Sequence, residues 1–367
     1  MKSFIKFLLF FAVGLSILYF VYQNQAGAFE AECACKGDCP YKTLWEKVLY
    51  DFSQANMFWL GVVCLAYIAS VLSRALRWNL LIEPLGYRVK TFNTFFSIMI
   101  GYLVNLALPR AGEIAKPAAL NQYEKVPLDK LMGTILVDRV FDVIMLLLVV
   151  GLTFLLQFDN IYGFLSGTTR PAATCVNPVA EVVKTPFVTW TTLFLIAGAM
   201  MLLSLIVVIW KWQAIKQTKI YQRVYLLMVN FGEGIKSVFR LRSPFLFLFH
   251  TLFIWFMYFM MTLICFWAYA PTADLGFSPA LLAFVFGGFG VLIPSPGGMG
   301  TYQIAVMAAL VVFGVAKSDA FAFANIIFFT INIFCNLIFG LLAYLLMPIY
   351  NKGYNPVKYD TSAPDRN

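Results

Sequence analysis

Residues 101–120 read GYLVNLALPRAGEIAKPAAL, and residues 286–310 repeat the plan as FGGFGVLIPSPGGMGTYQIAVMAAL. Both have apolar flanks suited to a bilayer. The first is interrupted by Pro109, Arg110, Gly112, Glu113 and Lys116, and the second by Pro296, Gly297, Gly298 and Gly300. Non-helical backbone and charge persist at membrane depth only where protein buries them or where they line a cavity. The two broken segments are therefore expected to build one polar site inside a membrane protein.

Composition agrees with that class. Hydrophobic residues make up 61% and charged residues 12% of the 367-residue chain, and mean hydropathy is +0.79. Several apolar runs reach the roughly 20 residues that span a bilayer. The formal net charge of +9 does not point to nucleic acid, because the basic residues sit between apolar runs and form no patch interleaved with aromatics. They instead report orientation through the positive-inside rule.

The chain divides into five regions. Residues 1–56 form an anchor span, about residues 7–22, and an extracytoplasmic loop; residues 57–157 form a first unit with a hairpin over 92–123. Residues 158–243 hold an outer loop, a linking span over 187–210 and a basic segment over 211–242, which lies on the anionic inner leaflet. Residues 244–349 form a second unit with a hairpin over 279–315, and residues 350–367 a cytoplasmic tail. Residues 92–108 are apolar, but as a helix they reach only roughly 25 Å against a hydrocarbon core of about 30 Å. A re-entrant hairpin is the expectation. An offset of 187 carries the second span, the hairpin with Pro109 and the third span onto the fifth span, the hairpin with Pro296 and the sixth span. Because one span separates the units, they run in opposite senses. The expected fold is an all-α integral membrane protein of about six full spans plus two re-entrant broken-helix hairpins, arranged as an inverted repeat. Both termini are cytoplasmic, and the protein sits in the cytoplasmic (inner) membrane.

The site chemistry follows from the groups. Arg110 and Lys116 are cations on the first hairpin, while Gly297, Gly298 and Gly300 expose backbone N–H groups before a helix that begins near Thr301. Such turns favour anions, above all phosphate. On the third span Asp138 and Asp142 lie one turn apart, with Arg139 beside them. These charges either form a network with Glu113 and Arg110 that holds the hairpin, or open when a phosphate competes for the arginines. Arg74 and Arg77 are read first as snorkelling to the interface and second, with Asn105 and Gln303, as site residues. Asn332 and Asn336 are read as interhelical donors, and His250 as interfacial. Cys33, Cys35, Cys39 and Cys175 fall on the oxidising side, where disulfides form. No HExxH, Walker loop, GxSxG or metal-spaced cysteine cluster occurs. No enzymatic activity, metal or cofactor is expected.

SRALRW (73–78), LPRAGE (108–113), VDRVFD (137–142) and IPSPGGMGTYQ (293–303) together resemble the lysylphosphatidylglycerol-synthase transmembrane, or flippase-like, family, over about residues 57–347. The resemblance implies a protein that moves a lipid or its headgroup across the bilayer. Gln303 stands where that family often has an acid, and the aminoacyl-transferase domain of its fused members has no counterpart, so lysyl-lipid synthesis is not expected. The expected function is a flippase for an anionic phosphate-bearing lipid, a phospholipid or a polyisoprenyl-phosphate carrier. The alternatives are a secondary transporter of a small soluble anion, which a lateral opening toward lipid would argue against, and a membrane scaffold for a lipid or glycan synthase.

Overall fold

The computed structural model describes residues 40–108, 110–158, 241–292 and 298–356, with scattered residues between 16 and 34 and residue 238. The expected anchor span over 7–22, the outer loop and linking span, and nearly all of the basic segment over 211–242 lie outside the described residues, as do Cys35, Cys39, Cys175 and Gly297. Cys33 is disulfide-bonded, with its partner also outside them.

Among the described residues the chain is helical without strands. Four helices are long and apolar enough to cross a membrane: α2 (Met57–Ile82, prolonged by a single turn to Leu85), α5 (Leu128–Leu156), α6 (Pro244–Ala268), and the continuous run Lys317–Tyr350. That run comprises α9 (Lys317–Phe328), a π-helical segment (Phe329–Cys335) and α10 (Asn336–Tyr350). Shorter helices sit between them: α1 (Leu44–Gln54), α3 (Thr91–Ala107), α4 (Gly112–Glu124), α7 (Phe277–Leu292) and α8 (Thr301–Val311). The protein is a multi-pass membrane protein.

Side chains explain where these helices start. Thr43 caps α1 by accepting from Glu46 N at 3.2 Å, and Asn56 caps α2 by accepting from Phe58 N at 3.0 Å. Each cap satisfies a backbone donor that the first turn cannot. Asn56 N also donates to Ala268 O at 2.8 Å, which ties the start of α2 to the end of α6. These two helices run antiparallel in the most extensive packing in the molecule.

The remaining packing is pairwise related. α3 packs on α4 and α7 on α8; α3 also packs along α10, and α7 against α5. Asn93 at the start of α3 exchanges amide hydrogen bonds of 2.9 and 2.7 Å with Asn351, just beyond α10. Correspondingly, Gln157 just beyond α5 donates to Ser278 O at the start of α7 at 2.6 Å. Asn336 joins this framework as an acceptor, taking the Tyr67 hydroxyl at 2.5 Å, while its own amide donates within its helix to Asn332 O at 2.9 Å. The expected interhelical donor is thus an interhelical acceptor.

Charged clusters hold the two ends. At one, Lys47 bridges Asp51 (2.7 Å) and Asp319 (2.6 Å), and Tyr269 donates to Asp51 at 3.0 Å. Burial opposes the Lys47 ammonium, but the hydrogen bonds it donates to Asp319 and Asp51 prevail and hold its pKa above the usual value. At the other, Glu124 accepts from Lys90 N (3.0 Å), Asn93 (2.5 Å) and the Tyr354 hydroxyl (3.0 Å). Burial and then Glu124 push the Tyr354 phenol up to about 12.

Candidate functional site: a charged cleft beside the first hairpin

The first hairpin closes through glycine. A Cβ on Gly112 would lie 2.1 Å from Gly101 O and 2.6 Å from the Asn105 side chain, and a Cβ on Gly101 would meet Lys116 at 3.0 Å. Only hydrogen at both positions lets α3 and α4 approach this closely. Asn105 Oδ1 then accepts from Gly112 N at 2.8 Å, capping the start of α4. The turn between the helices is left-handed at Arg110, with φ 64°.

The approach brings α4 charges beside those of α2 and α5. Arg74 Nη1 reaches Asp138 at 3.1 Å and Asp142 at 3.0 Å; Arg77 Nη2 reaches Asp138 at 2.6 Å and Asp142 at 2.8 Å. The 2.6 Å contact is an ion pair without hydrogen-bond alignment, since Asp138 Oδ1 lacks a well-directed donor among the described residues. Thr251 and Tyr258 of α6 accept from Arg77 Nη1 and Arg74 Nη2 at 3.2 and 3.0 Å, while the Nε donors of both arginines are buried without a partner among the described residues. The Lys116 ammonium stands 4.0 Å from Asp138 and 4.1 Å above the Trp78 ring. Trp78 is itself fixed by its indole N–H, which donates to Thr134 at 2.8 Å. At the rim Arg139 pairs with Glu113 and lies 3.6 Å from Asp142.

A narrow cleft opens onto this cluster. Its interior has room for little more than a water molecule, and it is lined by Arg74, Tyr102, Asn105, Glu113, Lys116 and Arg139, with Ile98, Gly101 and Gly112 beside them. Its mouth lies in an apolar surface. Met132, Leu136, Arg139 and Val143 recur at helical spacing on one face of α5, and the three apolar members are 43%, 50% and 48% exposed. Ile114, next to Glu113, is 67% exposed. Exposed apolar groups around a charged mouth suit an interaction surface.

Several expectations are corrected by this geometry. Arg74 and Arg77 do not snorkel: Arg77 is fully buried and Arg74 nearly so. Arg110 is outside both the network and the cleft, its side chain exposed because the left-handed turn projects it away. Every residue that lines this cleft comes from α2 to α5. Gly300 N donates to Gln303 Oε1 at 2.8 Å, so that donor is occupied within its own turn, and Gly298 closes the same turn at φ 82°. His250 is buried against the Ser73 hydroxyl at 2.9 Å. Trp78, Tyr102, Thr251 and Tyr258 were not anticipated. Trp78 was flagged only by its place in SRALRW, and Tyr258 carries no local signal.

A multi-pass helical membrane protein with a compensated charge cluster at bilayer depth is the class these features define. The chain belongs to the family described as "Lysylphosphatidylglycerol synthase TM region", whose family model matches residues 40–338. Comparison with curated proteins and with solved structures gave no match. Membership relates the protein to lipid biosynthesis and transport.

Proposed function

We propose that the protein is a non-enzymatic flippase that moves an anionic, phosphate-bearing lipid across the cytoplasmic membrane, with the cleft as its headgroup site. The carrying observation is the charged mouth set in the exposed apolar stripe of α5. A headgroup enters such a mouth while its acyl chains stay on the lipid-facing surface, which a small soluble anion has no use for. Inside, Lys116 and Arg139 offset the phosphate charge, and Glu113, Asp138 and Asp142 hold the arginines in place between binding events. That offset is needed because an uncompensated charge at mid-bilayer costs about 2.5–3.5 kcal/mol.

The pairing of α2 with α6, of α3 with α10 and of α7 with α5 supports an inverted repeat. In such a repeat, two units rock against each other around the site. The basic segment over 211–242 is assigned to the inner leaflet, with both termini cytoplasmic. Full-length protein reconstituted into vesicles carrying fluorescent phosphatidylglycerol tests the reading. Movement between leaflets is expected for wild type and is expected to fall at least tenfold in folded Lys116→Ala and Arg139→Ala variants. Unchanged movement in both would overturn it.

A further inference from the structure

We infer that the cleft selects a group carrying one negative charge, a phosphodiester monoanion, over phosphomonoester dianions and pyrophosphates. The inference rests on the lipid reading above and narrows the substrate class at the same cleft.

The charges sort by depth. Arg74, Arg77, Asp138 and Asp142 form a closed quartet in which each arginine reaches both carboxylates within 2.6–3.1 Å. Two cations face two anions there, and the Arg77 and Asp138 side chains are 0% and 1% exposed. This quartet is electroneutral and holds itself. Beside Arg74 of the neutral quartet, what faces the cleft is Lys116 and Arg139 against Glu113, with Arg139 and Glu113 already paired at the mouth. Lys116 is the remainder.

Its surroundings leave an acceptor wanting. The Lys116 side chain is 9% exposed, its ammonium is 4.0 Å from Asp138 Oδ2, and that oxygen already accepts from Arg74 at 3.1 Å. The other contact is the Trp78 ring at 4.1 Å. An ammonium has three N–H donors, and none of these is used in a hydrogen bond among the described residues. An ammonium largely withdrawn from water without an acceptor is costly, and Lys116 lines the cleft, which leaves its head open to an incoming oxygen. One singly charged phosphate ester supplies the missing oxygen and leaves the whole assembly neutral. A dianion would leave a net negative charge in a low-dielectric site, where charges interact far more strongly than in water. Arg110 does not alter this balance, because it stands outside the cleft and exposed.

Native mass spectrometry of the full-length protein in detergent at pH 7 tests the rule. The competing lipids are dipalmitoyl phosphatidylglycerol with one charge, dipalmitoyl phosphatidic acid with nearly two, and uncharged dipalmitoylglycerol; a parallel series adds water-soluble glycerophosphoglycerol. Wild type is expected to retain phosphatidylglycerol over phosphatidic acid by on the order of tenfold. Glu113→Gln, at the partly exposed mouth, adds one positive charge and should move the ratio toward phosphatidic acid. Lys116→Gln should abolish retention of both. Phosphatidic acid held as well as phosphatidylglycerol, with no shift in Glu113→Gln, would overturn the charge rule and leave the lipid reading standing. Equal competition by glycerophosphoglycerol would keep the charge rule but transfer the site to a soluble ester. Binding of none of these molecules would overturn both.

Discussion

The two hairpins are closed by the same device and end up chemically opposite. In the first, Gly112 and Gly101 let α4 lie against α3; in the second, a Cβ on Gly290 would lie 2.7 Å from Tyr302 Cα, and one on Gly287 would lie 2.8 Å from the Tyr302 ring. In the second, the polar groups answer each other. Gln303 takes the Gly300 N–H at 2.8 Å, and the Thr301 hydroxyl donates to Gly290 O at 2.7 Å. In the first, backbone needs are met by Asn105 at one end and Glu124 at the other, and Lys116 is left over, facing a cleft. Close helix approach is thus a packing solution common to both. A site arises only where charge remains after the backbone has been satisfied.

The sharpest way to break the contrast is to unbalance the quartet below the first hairpin. Arg77→Ala leaves two buried carboxylates sharing Arg74, and removing one partner of a buried ion pair costs about 3–5 kcal/mol. A correspondingly large fall in thermal stability in detergent is expected, and a fall under about 1 kcal/mol would show that the quartet is open to water.

Next in size, Gly112→Ala and Gly290→Ala should each destabilise by roughly 1–3 kcal/mol through overpacking against backbone. The two variants should part in ligand binding. Gly112→Ala displaces Lys116 and Asn105 and should lose phosphatidylglycerol retention, whereas Gly290→Ala should keep it. Loss in both would mean that the second hairpin contributes to the site.

The smallest effect is expected at Arg110. Arg110→Ala should change stability by no more than about 0.5 kcal/mol, as surface substitutions usually do, with retention within twofold of wild type. A tenfold loss would return Arg110 to the binding machinery and blunt the distinction between cleft and rim.

How far each feature could be read from the residues follows from the range over which its physics acts. The start of the first unit was legible because it depends on local apolar length: the unit is expected from residue 57, and α2 begins at Met57. The hairpin break at Pro109 and Gly112 was legible because proline and glycine act locally on the backbone. The fates of Arg74 and Arg77 were not. Near a span end an arginine can reach water or bury itself, and the choice depends on whether Asp138 and Asp142 of another helix stand opposite. Arg110 differs in the reverse direction: its motif suggests a site, and it stands exposed at a left-handed turn outside this cleft.

By itself, then, the sequence determined a multi-pass helical membrane protein, two interrupted segments, and the inventory of charge to be placed at depth, because hydropathy, chain breaks and charge are properties of residues or short windows. Only the tertiary structure decided which charges cancel. Whether a cation is clasped or left facing a cleft depends on distances of 3 to 4 Å between residues as much as 184 positions apart, and those distances are set by helix packing.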